Sequence, residues 1–304
     1  MRFPATSANL GPAFDTAAVA LSLALDVKAA PAKDFSIRAT GRDTAACSDV
    51  QNSLILKTYR ETLHKNSIKP TPIAVELHNE IPLGMGLGSS AAARLAGILL
   101  AIKFGPLPWQ IAQILNEAIR LEGHPDNAVA CALGGFTVAT QSAFARFNPP
   151  PDWRALLVLQ DCALATGEAR DALPPTYPQA DAIRNVQAAS LLVAAFAQQR
   201  PDLLRTAMQD TLHQPYRTHL CPLLPALAEM ENFPGVHGLA LSGAGPGVIL
   251  IVDKSASPHA LQAEAARLTK TLTSVEIIPC DLAAFGCLDF PVLADKSMIT
   301  RLIT

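Results

Sequence analysis

One segment limits what this chain can fold into more than any other. It is Pro82-Leu83-Gly84-Met85-Gly86-Leu87-Gly88-Ser89-Ser90-Ala91-Ala92, set between an alternating stretch at 73–78 and an alanine-rich stretch at 91–103. Glycines at every second position let the backbone curl with its N–H groups pointing into one concavity, and a helix starting at the two serines adds the positive end of its dipole. Such a loop is an anion cradle. Ser89 and Ser90 can bond phosphate oxygens, and one of them can reach a bound Mg²⁺. A Walker A loop ends in Gly-Lys-Ser/Thr, and no lysine follows Gly88; a dinucleotide fingerprint reads G-x-G-x-x-G, whereas these glycines run G-x-G-x-G. A turn that only caps a helix is the remaining alternative, and two serines directly after three alternate glycines exceed what capping needs.

The same punctuation organises the rest. Alternation at 73–78 predicts a half-buried strand, and good helix formers at 91–103, stopped by Gly105-Pro106, predict a helix from Ser89. Residues 108–121 place Ile111, Ile114, Leu115 and Ala118 on one helical face before Gly123-His124-Pro125 breaks it. Residues 133–139 read as a strand entered through Gly134-Gly135. Asn148-Pro149-Pro150-Pro151-Asp152 can neither continue a helix nor donate to a sheet, so a domain boundary is expected there, giving domains at 1–150 and 151–304. Beyond it, strands are expected at 156–160, 239–241, 247–252 and 275–278, with helices at 179–198, 201–212 and 258–271. Segregated elements of both kinds predict an α+β fold. A second glycine-rich stretch, Ser242-Gly243-Ala244-Gly245-Pro246-Gly247, lies between two of these strands and suits either a tight turn or a close backbone approach to a ligand or another loop.

Composition excludes several classes. With 304 residues, half of them hydrophobic, 16% charged and a net charge of −2, the chain has material for a large core and no basic excess for nucleic acid. Its longest charge-free apolar runs fall short of the roughly 20 residues that span a bilayer. Its start, Met1-Arg2-Phe3-Pro4, lacks a secretory core, so a cytoplasmic location is expected. Cys47, Cys131, Cys162, Cys221, Cys280 and Cys287 are scattered without a CxxC pair, which reads as reduced, structural cysteine.

Three motifs in order, Pro4-Ala5-Thr6-Ser7-Ala8-Asn9-Leu10-Gly11-Pro12-Ala13-Phe14-Asp15, the 82–92 loop, and Ser242-Gly243-Ala244-Gly245-Pro246, resemble the GHMP kinase superfamily. The first of these and Glu122-Gly123-His124-Pro125-Asp126-Asn127 narrow the resemblance to its homoserine kinases, over about residues 2–252. The resemblance implies a two-domain fold, with an N-terminal half like the second domain of ribosomal protein S5 and a ferredoxin-like C-terminal half. It also implies ATP-dependent phosphorylation of the L-homoserine side-chain hydroxyl, in threonine biosynthesis. It assigns the triphosphate to Pro82 and to Gly84, Met85, Gly86, Leu87, Gly88, Ser89, Ser90 and Ala91. Mg²⁺ falls to Ser90 and to Glu117, with Glu122 as competitor. Substrate falls to Asn9, Asp15, His124, Asn127, Thr166, Arg170 and Arg217, of which Asn9, Asn127, Arg170 and Arg217 would be catalytic. The family's frequent pairing makes a homodimer an expectation, and the adenine neighbourhood is guessed at 52–56.

These assignments are chemically coherent. A zwitterionic amino acid needs a carboxylate such as Asp15 for its ammonium and a guanidinium fork, Arg170 or Arg217, for its carboxylate. An amide cannot take a proton, so Asn9 and Asn127 are expected to orient the hydroxyl, with Asp126 the alternative base. His213 and His219 are read as structural. Two departures from the family stand out: Ala13 where glycine is common, and Gly247 where a hydroxyl residue is usual. Rival readings are a kinase for a mevalonate-like or sugar alcohol, and a nucleotide-binding protein that has lost catalysis.

Overall fold

A computed structural model describes residues 1–160 and 166–289. The first half is built on a six-stranded sheet. Strands β1 (Arg2–Asn9) and β2 (Ala13–Pro31) form a long hairpin, and the order β3-β4-β2-β5-β6 is completed by β3 (Ser36–Gly41), β4 (Ile73–Asn79), β5 (Phe136–Ala139) and β6 (Phe144–Phe147). All pairs are antiparallel except β3 with β4. Strand β2 is 19 residues long and pairs with β1, β4 and β5 along successive parts of its length.

Five helices accompany this sheet: α1 (Thr44–Cys47), α2 (Leu54–Lys65), α3 (Ser89–Phe104), α4 (Ile111–Glu122) and α5 (Asp126–Leu133). Helix α3 buries residues around its whole circumference, including Ala91, Leu95, Ala96, Ile98, Leu99 and Leu100, so it is an interior helix rather than an amphipathic one. Its predicted start and stop match the structure. Helix α4 begins at Ile111, later than the sequence suggests, because Gln110 and Gln113 form a reciprocal cap there. Helix α5 corrects the reading of the next stretch. Leu133 closes α5 and the strand starts only at Phe136, since Pro125 lacks the N–H that a helix start leaves unused and so begins a helix as readily as it ends one.

In the second half, β7 (Trp153–Gln160), β8 (Val236–Leu241), β9 (Val248–Asp253) and β10 (Val275–Asp281) form a four-stranded antiparallel sheet in the order β10-β7-β9-β8. Helices α6 (Thr166–Asp171), α7 (Gln179–Gln198), α8 (Leu204–Ala207), α9 (Gln214–Arg217), α10 (Leu223–Ala226) and α11 (Pro258–Leu268) complete it. Helix α7 matches its predicted span. The helix expected at 201–212 does not form as one piece. After Ala207 the Asp210 carboxylate accepts the N–H groups of Leu212, His213 and Gln214 at 2.9, 2.9 and 2.6 Å, ending one helix and turning the chain into α9.

One face of the second sheet (Leu157, Leu159, Ala240, Ile249, Ile251) shares a continuous core with the first half, while the other (Leu156, Val158, Leu239, Leu241, Leu250) packs under α10 and α11. After β10 the chain returns to the first half. The Ala283 amide donates to Ala20 and the Gly135 amide to Ala283, and Cys287 and Leu288 join the first core.

Candidate active site

The opening motif, the 82–92 loop and the second glycine stretch meet in one place. Ser242 Oγ donates to Ser7 Oγ at 2.9 Å and also lies 2.8 Å from the Gly86 carbonyl; the Gly243 amide donates to Ala8 at 3.0 Å, and the Thr6 amide to Leu87 at 3.1 Å. Gly86, at φ +74°, would carry a Cβ only 1.9 Å from the Ser242 carbonyl oxygen, so no larger residue fits this crossing. The second glycine stretch therefore serves a close approach between loops. A Cβ on Gly247 would lie 2.6 Å from the Met85 carbonyl oxygen, which explains the missing hydroxyl residue there. Ala13 opens β2 and is not among the residues with positive φ, so its departure from glycine carries no strain.

The loops line a cleft of about 310 Å³ with Gly84, Gly86, Leu87, Gly88, Ser89 and Ser90 on one side. Among the described residues, no backbone N–H from 84 to 91 donates a hydrogen bond to protein, although the Gly86 and Leu87 carbonyls are both used. These amides stand in a row beside the start of a 16-residue helix, the arrangement that an anion cradle requires. Pro82, Met85 and Ala91 do not line the cleft. Pro82 has no N–H to offer, Met85 packs against the core, and the Ala91 side chain is buried.

The structure separates the two candidate metal carboxylates. Glu117 lies outside the cleft, buried, with its oxygens taken by Arg120 (2.8 and 2.9 Å) and by Lys65 (2.5 Å). The hydrogen bond from Arg120, with that from Lys65, holds its carboxyl below the usual glutamate value against the cost of burial. Glu122 lines the cleft and accepts from Ser90 Oγ at 2.9 Å on Oε2. Its other oxygen is buried without a hydrogen bond, with Arg94 Nε 3.0 Å away but misaligned for one. Of the two carboxylates, Glu122 is the one that lines the cleft and bonds the Ser90 hydroxyl, and hard oxygen donors of this kind suit a divalent cation.

At the far end the cleft is charged. Asp15, at φ 52°, accepts both bonds from Arg170 Nη2 at 2.8 Å. Arg217 is 1% exposed and fixed by donation from Nε to the Ala169 carbonyl at 2.8 Å and by contact of Nη1 with His213 Nδ1 at 3.1 Å. Burial pulls its pKa down from the ordinary arginine value. His213 is fully buried, with Nε2 2.8 Å from the Gly11 carbonyl, so a neutral ring donating there can accept from Arg217; burial lowers its pKa accordingly. His213 thus braces Arg217, which lines the cleft. The spacing of four to Arg217 was the available signal.

His124 Nδ1 meets Asp126 Oδ1 at 2.6 Å, and this bond, outweighing burial, raises the imidazole pKa above its ordinary value. The same Asp126 oxygen accepts the Asn127 amide at 2.6 Å. Thr6 Oγ1 donates to Asn127 Oδ1 at 2.6 Å, which leaves the Asn127 NH₂ as the end available to a ligand. Asn9 also lines the cleft, and its side chain ties loops together. Its Nδ2 donates to the Gly243 carbonyl at 2.9 Å and its Oδ1 accepts the Asp15 amide at 3.0 Å, so it braces two loops. The side chain of Thr166 and residue Cys162 lie outside the described residues.

Family models for the GHMP kinases N terminal domain and the GHMP kinases C terminal match residues 53–135 and 192–269. A homoserine kinase of Solibacter usitatus is 39% identical over 259 residues, covering 84% of this chain and 85% of the relative. The solved homoserine kinase of Cytophaga hutchinsonii superposes with a TM-score of 0.78 at 24% identity, over 94% of this chain and 95% of that one. The mevalonate kinase of Methanococcus jannaschii shares the fold at a TM-score of 0.67 and 16% identity, over 93% and 97% of the two chains.

Proposed function

This chain belongs to the GHMP kinases and, within them, to the homoserine kinases, moving the terminal phosphoryl group of ATP to the side-chain hydroxyl of L-homoserine; on that premise we propose how its own residues divide the work. The observation that carries the reading is the run of unpartnered amides at 84–91, facing a cleft whose other end holds a carboxylate and two guanidiniums.

The triphosphate rests on those amides and on Ser89 and Ser90. Ser90 and Glu122 would hold Mg²⁺, which when bound neutralises charge on the phosphate oxygens. Asp15 takes the substrate ammonium, and Arg170 and Arg217 take its carboxylate. The Asn127 NH₂ donates to the substrate hydroxyl oxygen and fixes the lone pair that attacks phosphorus. Asp126, already shared between His124 and the Asn127 amide, orients both. Phosphoryl transfer through a loose transition state depends on positioning and charge neutralisation, so the hydroxyl proton can pass to phosphate or water.

We assign residues 1–150 and 151–304 as the two domains, supported by the first sheet ending at Phe147 and the second starting at Trp153; the returning segment at 282–289 ties the second to the first. We further assign a cytoplasmic homodimer. Among the described residues no helix is long and apolar enough to cross a membrane, and the cysteines form no disulfide. Light scattering and cell fractionation test these two points.

A coupled ADP-release assay decides the function. Mg²⁺-dependent turnover with L-homoserine, and at least tenfold lower kcat/KM with mevalonate or a hydroxy acid lacking the amine, is the expected result. Equal rates on amino and non-amino substrates would favour the mevalonate-like alternative, and nucleotide binding without turnover would favour a non-catalytic relative.

A further inference from the structure

Phe14 lines the cleft between the Asn9 turn and Asp15. The Arg170 guanidinium carbon lies 5.4 Å from its ring centroid and that of Arg217 lies 5.3 Å from it. The His213 imidazole stacks on the same ring at 5.2 Å and 27°. One aromatic side chain therefore touches both cations assigned to the substrate carboxylate and the imidazole that braces one of them.

We propose that Phe14 is the positioning residue for substrate-carboxylate recognition, holding the Arg170 and Arg217 forks together in readiness for one anion. The proposal rests on the carboxylate role given above to these two arginines. Two guanidiniums brought together repel each other, and an aromatic face attracts each of them through its quadrupole without adding charge. Arg217 has further anchors in the Ala169 carbonyl and His213. Among the described residues Arg170 has one, Asp15. When a substrate ammonium takes the Asp15 carboxylate, the ring is, among the described residues, the remaining contact that keeps Arg170 beside Arg217. Phe14 thus matters most in the bound state and chiefly to the end of the ligand that carries the carboxylate.

The test compares L-homoserine with its carboxylate-free analogue 2-aminobutane-1,4-diol in the wild type, in Phe14→Leu and in Phe14→Tyr. Phe14→Leu is expected to raise KM for L-homoserine on the order of tenfold, with kcat and KM for ATP within about twofold and KM for the diol unchanged; Phe14→Tyr restores the wild-type value. Replacing Phe14 with pentafluorophenylalanine keeps the shape and reverses the ring quadrupole, so it should reproduce the leucine effect even if Phe14→Leu folds poorly. Equal KM increases for both substrates, or a fall in kcat at constant KM, would reduce Phe14 to packing while leaving the arginines' role intact. If the wild type itself does not discriminate between the two substrates, the carboxylate role of the arginines fails and this proposal with it.

Discussion

Arg170 Nη2 donates to both carboxylate oxygens of Asp15 at 2.8 Å, so the side chains assigned to opposite ends of a zwitterion neutralise each other before it arrives. Ligand binding exchanges one ion pair for two, which keeps the cleft near charge balance in both states. A hydrogen bond to a charged partner is worth about 1.5–3 kcal/mol, or roughly 10–150-fold in affinity. Asp15→Asn is therefore expected to raise KM for L-homoserine by that factor in steady-state assays and to leave KM for ATP alone. An unaltered KM for L-homoserine would remove Asp15 from the ammonium site.

The division of labour between two glutamates on one helix is directly measurable. With a non-hydrolysable ATP analogue present, Glu122→Gln should weaken Mn²⁺ binding, followed by electron paramagnetic resonance, by on the order of tenfold or more. Glu117→Gln should leave Mn²⁺ binding unchanged and lower the melting temperature instead. The Glu117 pKa is depressed by Arg120 and Lys65, so its contribution is present above the unfolded value and is lost as pH falls through the folded one. The melting-temperature gap between wild type and Glu117→Gln should accordingly close on acidification, and a gap that widened would contradict the ion-pair account.

Asp126 distinguishes orientation from base catalysis. Its Oδ1 is already shared by His124 and the Asn127 amide, so Asp126→Asn is expected to reduce kcat by no more than about 100-fold, the lower range of general-base effects. The imidazole pKa of His124, followed by NMR, should drop in the variant because its main raising partner is gone. In the wild type this pair stabilises the fold fully below the unfolded imidazole value, about 6.5, and loses its effect as pH rises through the raised one. A several-thousandfold loss of turnover in a folded variant would make Asp126 the base.

The crossing of the two glycine loops predicts a sharp steric effect. A methyl group at Gly86 meets the Ser242 carbonyl oxygen and sits on a backbone at φ +74°. Gly86→Ala should cost on the order of 1–3 kcal/mol of stability and displace the amides around it. Thermal unfolding and calorimetric titration with an ATP analogue read the two effects, and a variant with normal values in both would show that the crossing is dispensable.

Legibility varied with the range of the interaction concerned. The α3 helix and its start were readable because glycine, serine and alanine act through local backbone geometry, and α7 because alanine and other good helix formers run from 179 to 198 with no Gly or Pro to break them. The β1–β2 hairpin was not assigned. Its residues 2–9 are buried with little interruption and much of β2 is buried too, so no polar alternation marks them as strands. The break after Ala207 depends on where one carboxylate, Asp210, turns.

The sequence by itself determined the glycine loop and the helix that follows it, the α+β class and the family, because glycine spacing, helix initiation and motif order are properties of neighbouring residues. Tertiary structure decided which carboxylate faces Ser90. Glu117 and Glu122 are five residues apart, about 140° around an α-helix, so one turns to Lys65 and Arg120 and the other to the cleft. It also brought Phe14, Arg170, His213 and Arg217 together across some 200 positions of chain. Direction around a helix and contact between distant segments are set by which face is buried, and burial is a property of the packed whole.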